Sequence, residues 1–321
     1  MSGKPTLLIT RKLSKRTEER AQRDYDVILN PEDRVFTPEE LLEKSAGVDA
    51  ILPCHSEHFT ADLVAKLSDS VKIVANHSVG VDHCDLAALA AKGIVVTNTP
   101  DVLSDATAEI AMLLLLGAAR RASEGDRMIR AGEWAHWSPS FMVGTQVTGK
   151  RIGIVGMGRV GQVMARRARG FDMQVHYYNR NRLAADKEVG ATYHADMDSL
   201  LAVSDYLSLH CPATPETTGF LNADKIALLP DGAIVVNTAR GALIDETALI
   251  AALKSGKLAA AGLDVFQTEP GGNPAFAELD NVFMLPHIGS ATFETRDAMG
   301  FRALDNLDAV FAGKEPGDRV A

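Results

Sequence analysis

Residues 149–161 read GKRIGIVGMGRVG, and this stretch decides the fold. The apolar run 152–155 predicts a short buried strand, and residues 160–169 predict a helix. Between them lies a GxGxxG. Gly156 permits the tight turn, Gly158 lets backbone approach a pyrophosphate, and Gly161 lets helix and strand pack closely. The amides of Arg159 and Val160, on the positive end of the helix, complete an expected site for a dinucleotide.

Outward from this turn the chain keeps alternating. Downstream, strands are expected at 175–178, 206–210, 233–237 and 260–265, with helices at 197–202, 223–228 and 246–255. That pattern describes a doubly wound parallel sheet of about six strands. Upstream, strands at 6–10, 50–53, 71–75 and 94–97 alternate with helices at 16–25, 63–67 and 86–91, which implies a second parallel sheet. A helix at 104–120 connects the two regions. Ser104 is its expected N-cap, Asp105 and Glu109 suit its positive end, and Arg120 and Arg121 the other. Its middle is apolar on nearly every side, so burial on nearly every side is expected. A last helix is expected at 298–311. The fold class is therefore α/β.

Composition agrees with two globular domains. The 321 residues are 46% hydrophobic and 23% charged. A net charge of −9 argues against nucleic acid or an anionic membrane surface as partner. No apolar stretch reaches the ~18 residues that span a bilayer, and the N-terminus does not read as a signal peptide. Cys54, Cys84 and Cys211 are scattered and odd in number, which suits a reducing, cytoplasmic compartment. The basic run 11–16 reads as a solvated helix start. His55 and His58 fall into no metal-ligand spacing and read as surface or loop residues, and no metal is expected.

An NAD-binding fold normally carries a carboxylate at the end of its second strand, where it binds the ribose hydroxyls. Here residues 176–183 read HYYNRNRL, with Asn179 in that place and Arg180 and Arg182 after it. A carboxylate repels a 2′-phosphate, whereas guanidinium groups pair with it. The expectation is NADP(H), with NAD(H) as the alternative; solvated loop arginines are the bland alternative.

Six ordered stretches now define a family. HSVGVDHCDL (77–86), GIVVTNTPDVLSDATAE (93–109), GKRIGIVGMGRVG (149–161), NTARGALIDE (237–246), AGLDVFQTEP (261–270) and PHIGSAT (286–292) resemble the D-isomer-specific 2-hydroxyacid dehydrogenases over essentially the whole chain. The resemblance implies two Rossmann-like domains: a substrate domain built from both chain ends, 1–100 with 288–321, and a dinucleotide-binding domain, 101–287. It implies a catalytic set of Arg240, Glu269 and His287. Arg240 would grip the carboxylate and carbonyl oxygen of a 2-oxo acid. His287 would act as general acid, oriented by Glu269, and would take the hydroxyl proton in the reverse direction. It also assigns Ser78, Val79 and Gly80 to the substrate carboxylate, and Thr107, Pro212, Thr217, Thr238, Ala239 and Asp264 to the nicotinamide end of the cofactor. Taken singly, each has a bland alternative: Arg240 as a loop cap, Glu269 as a surface acid, His287 as a satisfied buried histidine.

The segment 132–150, GEWAHWSPSFMVGTQVTGK, resembles the glyoxylate and hydroxypyruvate reductase branch. Trp137 matches a tryptophan that in relatives reaches toward a neighbouring subunit's site, and a homodimer is expected; simple packing of Trp134 and Trp137 is the alternative. One departure stands out: Gln267 occupies a position where many relatives carry Glu. The rival functions are a dehydrogenase for a larger 2-oxo acid, or for phosphoglycerate or phosphite, and a dinucleotide-sensing module like the family's corepressors.

Overall fold

The computed structural model describes residues 3–321, and the chain divides into two units, Met1–Leu103 with Ala291–Ala321, and Ser104–Ser290. The first unit carries β1 (Thr6–Ile9), α1 (Lys15–Asp24), β2 (Asp26–Ile28), α2 (Pro38–Lys44), β3 (Ala50–Leu52), α3 (Ala61–Lys66), β4 (Ile73–Ala75), α4 (Leu86–Ala91) and β5 (Val95–Thr97). Its parallel sheet runs in the order β2-β1-β3-β4-β5. Successive side chains of a strand face opposite sides, so each strand feeds two cores. Leu8, Ile51, Val74 and Val96 pack with residues of α2, α3 and α4, while Leu7, Ile9, Leu52 and Ile73 form the other layer.

The second unit holds α5 (Ser104–Ala119), α6 (Ala122–Ala131), β6 (Arg151–Val155), α7 (Arg159–Arg169), β7 (Gln174–Tyr178), β8 (Thr192–His194), α8 (Met197–Leu201), β9 (Tyr206–Leu209), α9 (Ala223–Leu228), β10 (Ala233–Asn237), α10 (Glu246–Ser255), β11 (Leu258–Leu263) and β12 (Val282–Met284). Seven parallel strands run β12-β11-β10-β9-β6-β7-β8. The order reverses between β6 and β9, the place where open α/β sheets bind ligands. Ile152, Ile154, Ile234 and Val236 pack under α5 and α7; Val155, Leu207, Leu209 and Val235 pack under α8, α9 and α10. The last helix, α11 (Phe293–Phe311), belongs to the first unit. Its Ala303, Leu304 and Leu307 join Ala21 of α1 in covering Leu7 and Ile9.

The structure adds five elements to those expected. β2 and β8 contain no buried residue, α6 contains none, and β12 has three residues, so none offers an apolar period to read. The fifth, α2, is announced by the capping box of Thr37 and Glu40. Ser104 opens α5 as its first residue instead of capping it. Leu113 in the middle of α5 is 47% exposed, so the helix is less enclosed than its composition implied. The basic run meets the expectation of a helix start: Ser14 caps α1, and Arg11 pairs with Asp33 at 2.9 Å. No helix among the described residues is long and apolar enough to cross a membrane.

Candidate active site

The carboxyl ends of the second unit's strands supply one group after another. β6 runs into Gly156, whose φ of +94° is left-handed. A Cβ there would lie 2.5 Å from the Cys211 nitrogen, on the segment leaving β9. A Cβ on Gly161 would lie 2.2 Å from the Gly156 carbonyl oxygen. Both glycines are thus demanded by the chain itself. Gly158 differs: a Cβ there would meet nothing within 4 Å, and the residue is exposed at the N-cap of α7. Gly158 at the N-cap has no side chain to cap that helix, and the helix's positive end lies at Arg159 and Val160. An open approach to a helix N-terminus without a side-chain cap fits a pyrophosphate.

Asn179 follows β7, and its Oδ1 accepts from the Met157 N–H at 3.0 Å, tying the second strand's end to the glycine turn. The two arginines beyond it part company. Arg182 donates to both carboxylate oxygens of Glu188, at 2.7 and 3.2 Å, and lies over the Tyr193 ring at 5.5 Å. The Arg182 guanidinium and the Tyr177 hydroxyl hold Glu188 below the usual carboxylate range. Arg180 is exposed and forms no hydrogen bond or ion pair with a described residue, although its charge reaches Glu216. The pair expected from the sequence is therefore one committed guanidinium and one open one.

Further along the edge, Thr217 accepts from the Thr214 N–H at 2.8 Å and donates to the Pro212 carbonyl at 2.7 Å, folding that turn on itself. Thr238 is buried, and its hydroxyl has no hydrogen-bond partner among the described residues; Ala239 is half-buried beside it. Thr107 of α5 is buried as well. A buried hydroxyl without a partner is unusual enough to suggest a ligand atom as its mate.

Arg240 leaves β10 under tight control. Asn237, fully buried, accepts from the Ala239 N–H at 3.0 Å and donates to the Arg240 carbonyl at 2.8 Å. The Arg240 guanidinium in turn donates to the Ala239 carbonyl at 2.7 Å. A Cβ on Gly241 would fall 1.9 Å from the Phe266 carbonyl carbon, so the chains leaving β10 and β11 touch backbone to backbone. That contact sets Arg240 beside the loop bearing Glu269. Glu269 accepts from the Phe266 N–H at 2.8 Å through Oε1, and from Nδ1 of His287 at 2.6 Å through Oε2. Both side chains keep some access, 33% for His287 and 25% for Glu269.

His287 follows β12 with a φ of +53°, a conformation that a non-glycine residue holds only when its surroundings impose it. Asp264 imposes it. This fully buried carboxylate accepts from the Ile288 and Gly289 N–H groups at 2.8 and 2.7 Å. Burial pushes Asp264 upward, against the amides and the nearby His287, which pull it down.

In the first unit, the loop after β4 carries Ser78, Val79 and Gly80. Ser78 donates to the Gly80 carbonyl at 2.7 Å, and Asn98 donates to the Val79 carbonyl at 2.8 Å. Trp137 is 75% exposed. His55 and His58 are exposed.

Asn237 and Asp264 show what residue-by-residue reading of the sequence undervalues. Both are polar residues at or just past the end of an apolar strand, and both spend their side chains on loop backbone, Asn237 on the turn that follows it and Asp264 on the loop after β12.

A nucleotide-binding turn, a histidine–carboxylate pair and an arginine on one sheet edge define a dinucleotide-dependent oxidoreductase. The comparisons sharpen this. Residues 112–289 match the model for the D-isomer specific 2-hydroxyacid dehydrogenase NAD binding domain. A glycerate dehydrogenase of Hyphomicrobium methylovorum is 45% identical, with 98% of both chains aligned. A glyoxylate reductase of Pyrococcus furiosus is 44% identical over 98% of this chain and 94% of its own. The NADPH-dependent glyoxylate/hydroxypyruvate reductase of Sinorhizobium meliloti, solved with NADP and malonate, is 33% identical with a TM-score of 0.88, covering 99% of this chain and 97% of that one. The chain belongs to the D-isomer-specific 2-hydroxyacid dehydrogenase family. It is an NAD(P)-dependent enzyme similar to the family's glyoxylate reductases.

Proposed function

We propose that this enzyme reduces glyoxylate or hydroxypyruvate to the corresponding 2-hydroxy acid, with NADPH preferred over NADH. The observation that carries the reading is the 2.6 Å contact of His287 with Glu269, on the loop that abuts the Arg240 turn. Arg240 presents a planar fork suited to a carboxylate beside a carbonyl oxygen. When bound, the reduced nicotinamide supplies the hydride. As the carbonyl carbon is reduced, its oxygen gains negative charge and takes a proton from the Nε2 side of His287. Glu269 on the opposite ring nitrogen fixes the tautomer and stabilises the positive ring until that transfer. Oxidation of the hydroxy acid runs the same step backward, with neutral His287 accepting the proton.

The amides around Ser78, Val79 and Gly80 are assigned to the substrate carboxylate, and Thr107, Pro212, Thr217, Thr238, Ala239 and Asp264 to the nicotinamide end. Arg180 is the residue assigned to the 2′-phosphate. The relatives' names, glycerate dehydrogenase and glyoxylate reductase, both describe two- or three-carbon acids and support a small substrate. Exposed Leu113, Ile129, Trp134, Trp137 and Val143 supply an apolar surface suited to a second copy, and a homodimer is proposed on them. Three free cysteines suit a cytoplasmic enzyme.

The test is kcat/KM for glyoxylate, hydroxypyruvate, pyruvate and phenylpyruvate, each with NADPH and NADH. The highest value for phenylpyruvate would replace the substrate reading by that of a larger 2-oxo acid. The highest value with NADH would remove the cofactor preference.

A further inference from the structure

Glu269 reaches His287 from the loop that follows Asp264. After Asp264 the chain leaves the sheet, and Gly271 and Gly272 both have positive φ, +115° and +70°, so the far half bends where side chains give no stiffness. The structure shows one group gripping this loop at two points. Glu246, the first residue of α10, is 8% exposed. Its Oε1 accepts from the Gln267 N–H at 2.8 Å, and its Oε2 accepts from the Asn273 amide at 3.0 Å.

An acid in a helix's first turn usually serves the helix itself. Here Asp245 already accepts from the Thr247 and Ala248 N–H groups, and the Glu246 carboxylate turns to the loop instead. Burying a carboxylate is unfavourable unless its oxygens are used. Both are used, on residues that bracket Glu269. One residue, Thr268, separates Glu269 from the nearer anchor.

Gln267 fits the same arrangement. Its side-chain amide donates to the Ile244 carbonyl at 2.6 Å, just before α10. A Glu at 267 would set an acceptor against that carbonyl and a second negative charge beside Glu246. The amide at this position is what the local hydrogen bonding asks for.

We propose that Glu246, with Gln267 and Asn273 as its anchors, is a positioning residue that holds the Glu269 loop so that the Glu269 carboxylate meets Nδ1 of His287. The proposal rests on the reading of His287 and Glu269 as the acid–base pair. Without the Glu246 clamp Glu269 spends less time on the ring, and the protonated ring loses its partner.

Glu246→Ala and Asn273→Ser test this; serine can keep the cap on Ala275 but is too short to reach Glu246. Steady-state reduction of glyoxylate with NADPH is followed from pH 5 to 9, beside thermal melting and NADPH binding by fluorescence. For Glu246→Ala, kcat should fall about 10- to 30-fold, less than the ~10²–10⁴ that loss of the acid–base group itself costs. The alkaline limb of the kcat profile should move toward acid, and KM for NADPH should stay within about twofold. Asn273→Ser should show the same displacement at smaller amplitude. Unchanged kcat in both variants overturns the proposal. So does a fall in kcat with an unmoved profile, which is a structural loss only. If His287→Ala keeps normal turnover, the acid–base reading fails first, and the clamp has no pair to position.

Discussion

Removing Arg180 should abolish most of the proposed preference for NADPH while removing Arg182 should not. Both follow the second strand and both are exposed, so the sequence offers no reason to separate them. The structure does: Arg182 is spent on Glu188 and the Tyr193 ring, and Arg180 has no hydrogen-bonded partner among the described residues. A charge-assisted pair with a phosphate contributes ~1.5–3 kcal/mol. Exposure and the neighbouring Glu216 carboxylate place Arg180 in the lower half of that span. At 1.36 kcal/mol per tenfold, about 1.5–2 kcal/mol is roughly a 10- to 30-fold fall in kcat/KM. Arg180→Ala should therefore lose about 10- to 30-fold with NADPH and less than about threefold with NADH, because NADH has nothing at the 2′ position for the arginine to hold.

For Arg182→Ala the expected change is different in kind. Glu188 loses the guanidinium that holds it in its charged form, Tyr177 keeps the remaining contact, and the turn at 182–188 loosens. Melting temperature should drop, while the NADPH/NADH ratio of kcat/KM stays within about threefold of wild type. The assay is the initial rate of absorbance loss at 340 nm (the reduced nicotinamide band) for both variants with both cofactors. A larger loss of NADPH selectivity in Arg182→Ala than in Arg180→Ala would refute the reasoning, because the Glu188 pair would then be dispensable in the complex.

Three other outcomes are expected. His287→Ala should lower kcat by ~10²–10⁴ with NADPH binding retained, and near-normal turnover would take His287 out of the chemistry. Gly158→Ala should leave the melting temperature almost unchanged, since a Cβ there meets nothing within 4 Å, yet raise KM for NADPH; Gly156→Ala should destabilise the protein outright, with a Cβ 2.5 Å from a backbone nitrogen at a φ of +94°. An unaffected KM in the first variant would mean the pyrophosphate lies elsewhere. Stability should also weaken in mild acid. Burial pushes His77 and His210 down to about 4 from an ordinary 6.5, so both are neutral in the fold and take a proton more readily once unfolded. Their contribution is full above pH 6.5 and is lost as pH falls toward 4, on the order of 3 kcal/mol for each at the acid end. Denaturant midpoints from pH 7 to 4.5 should fall steadily, and His77→Gln should flatten part of the slope; a slope the variant leaves intact would exclude His77.

What the sequence made legible follows a physical division. Buried parallel strands of this chain are near-continuous apolar runs, and a glycine turn between strand and helix is demanded by close backbone contacts, so β6, α7 and the strands around them announce themselves. Elements that bury nothing, such as α6 and β8, leave no period to find. The site divides the same way. The residues proposed to face a ligand come in recognisable motifs, and Arg240, Glu269 and His287 could be singled out by their neighbours in sequence. The aiming role of other residues is not legible there, because aiming is a relation between distant segments; Asp264 reads from the sequence only as a residue of the nicotinamide end. Asn237 acts within its own loop, but Asp264 acts on amides 24 and 25 positions away, and Glu246 on a loop 21 to 27 positions away. Each is an ordinary polar residue at a strand exit or helix start until the sheet folds and brings its partner alongside. Reading a motif therefore identifies which atoms can react, whereas the precision of their approach depends on buried polar groups whose only signature is the hydrogen bond they make.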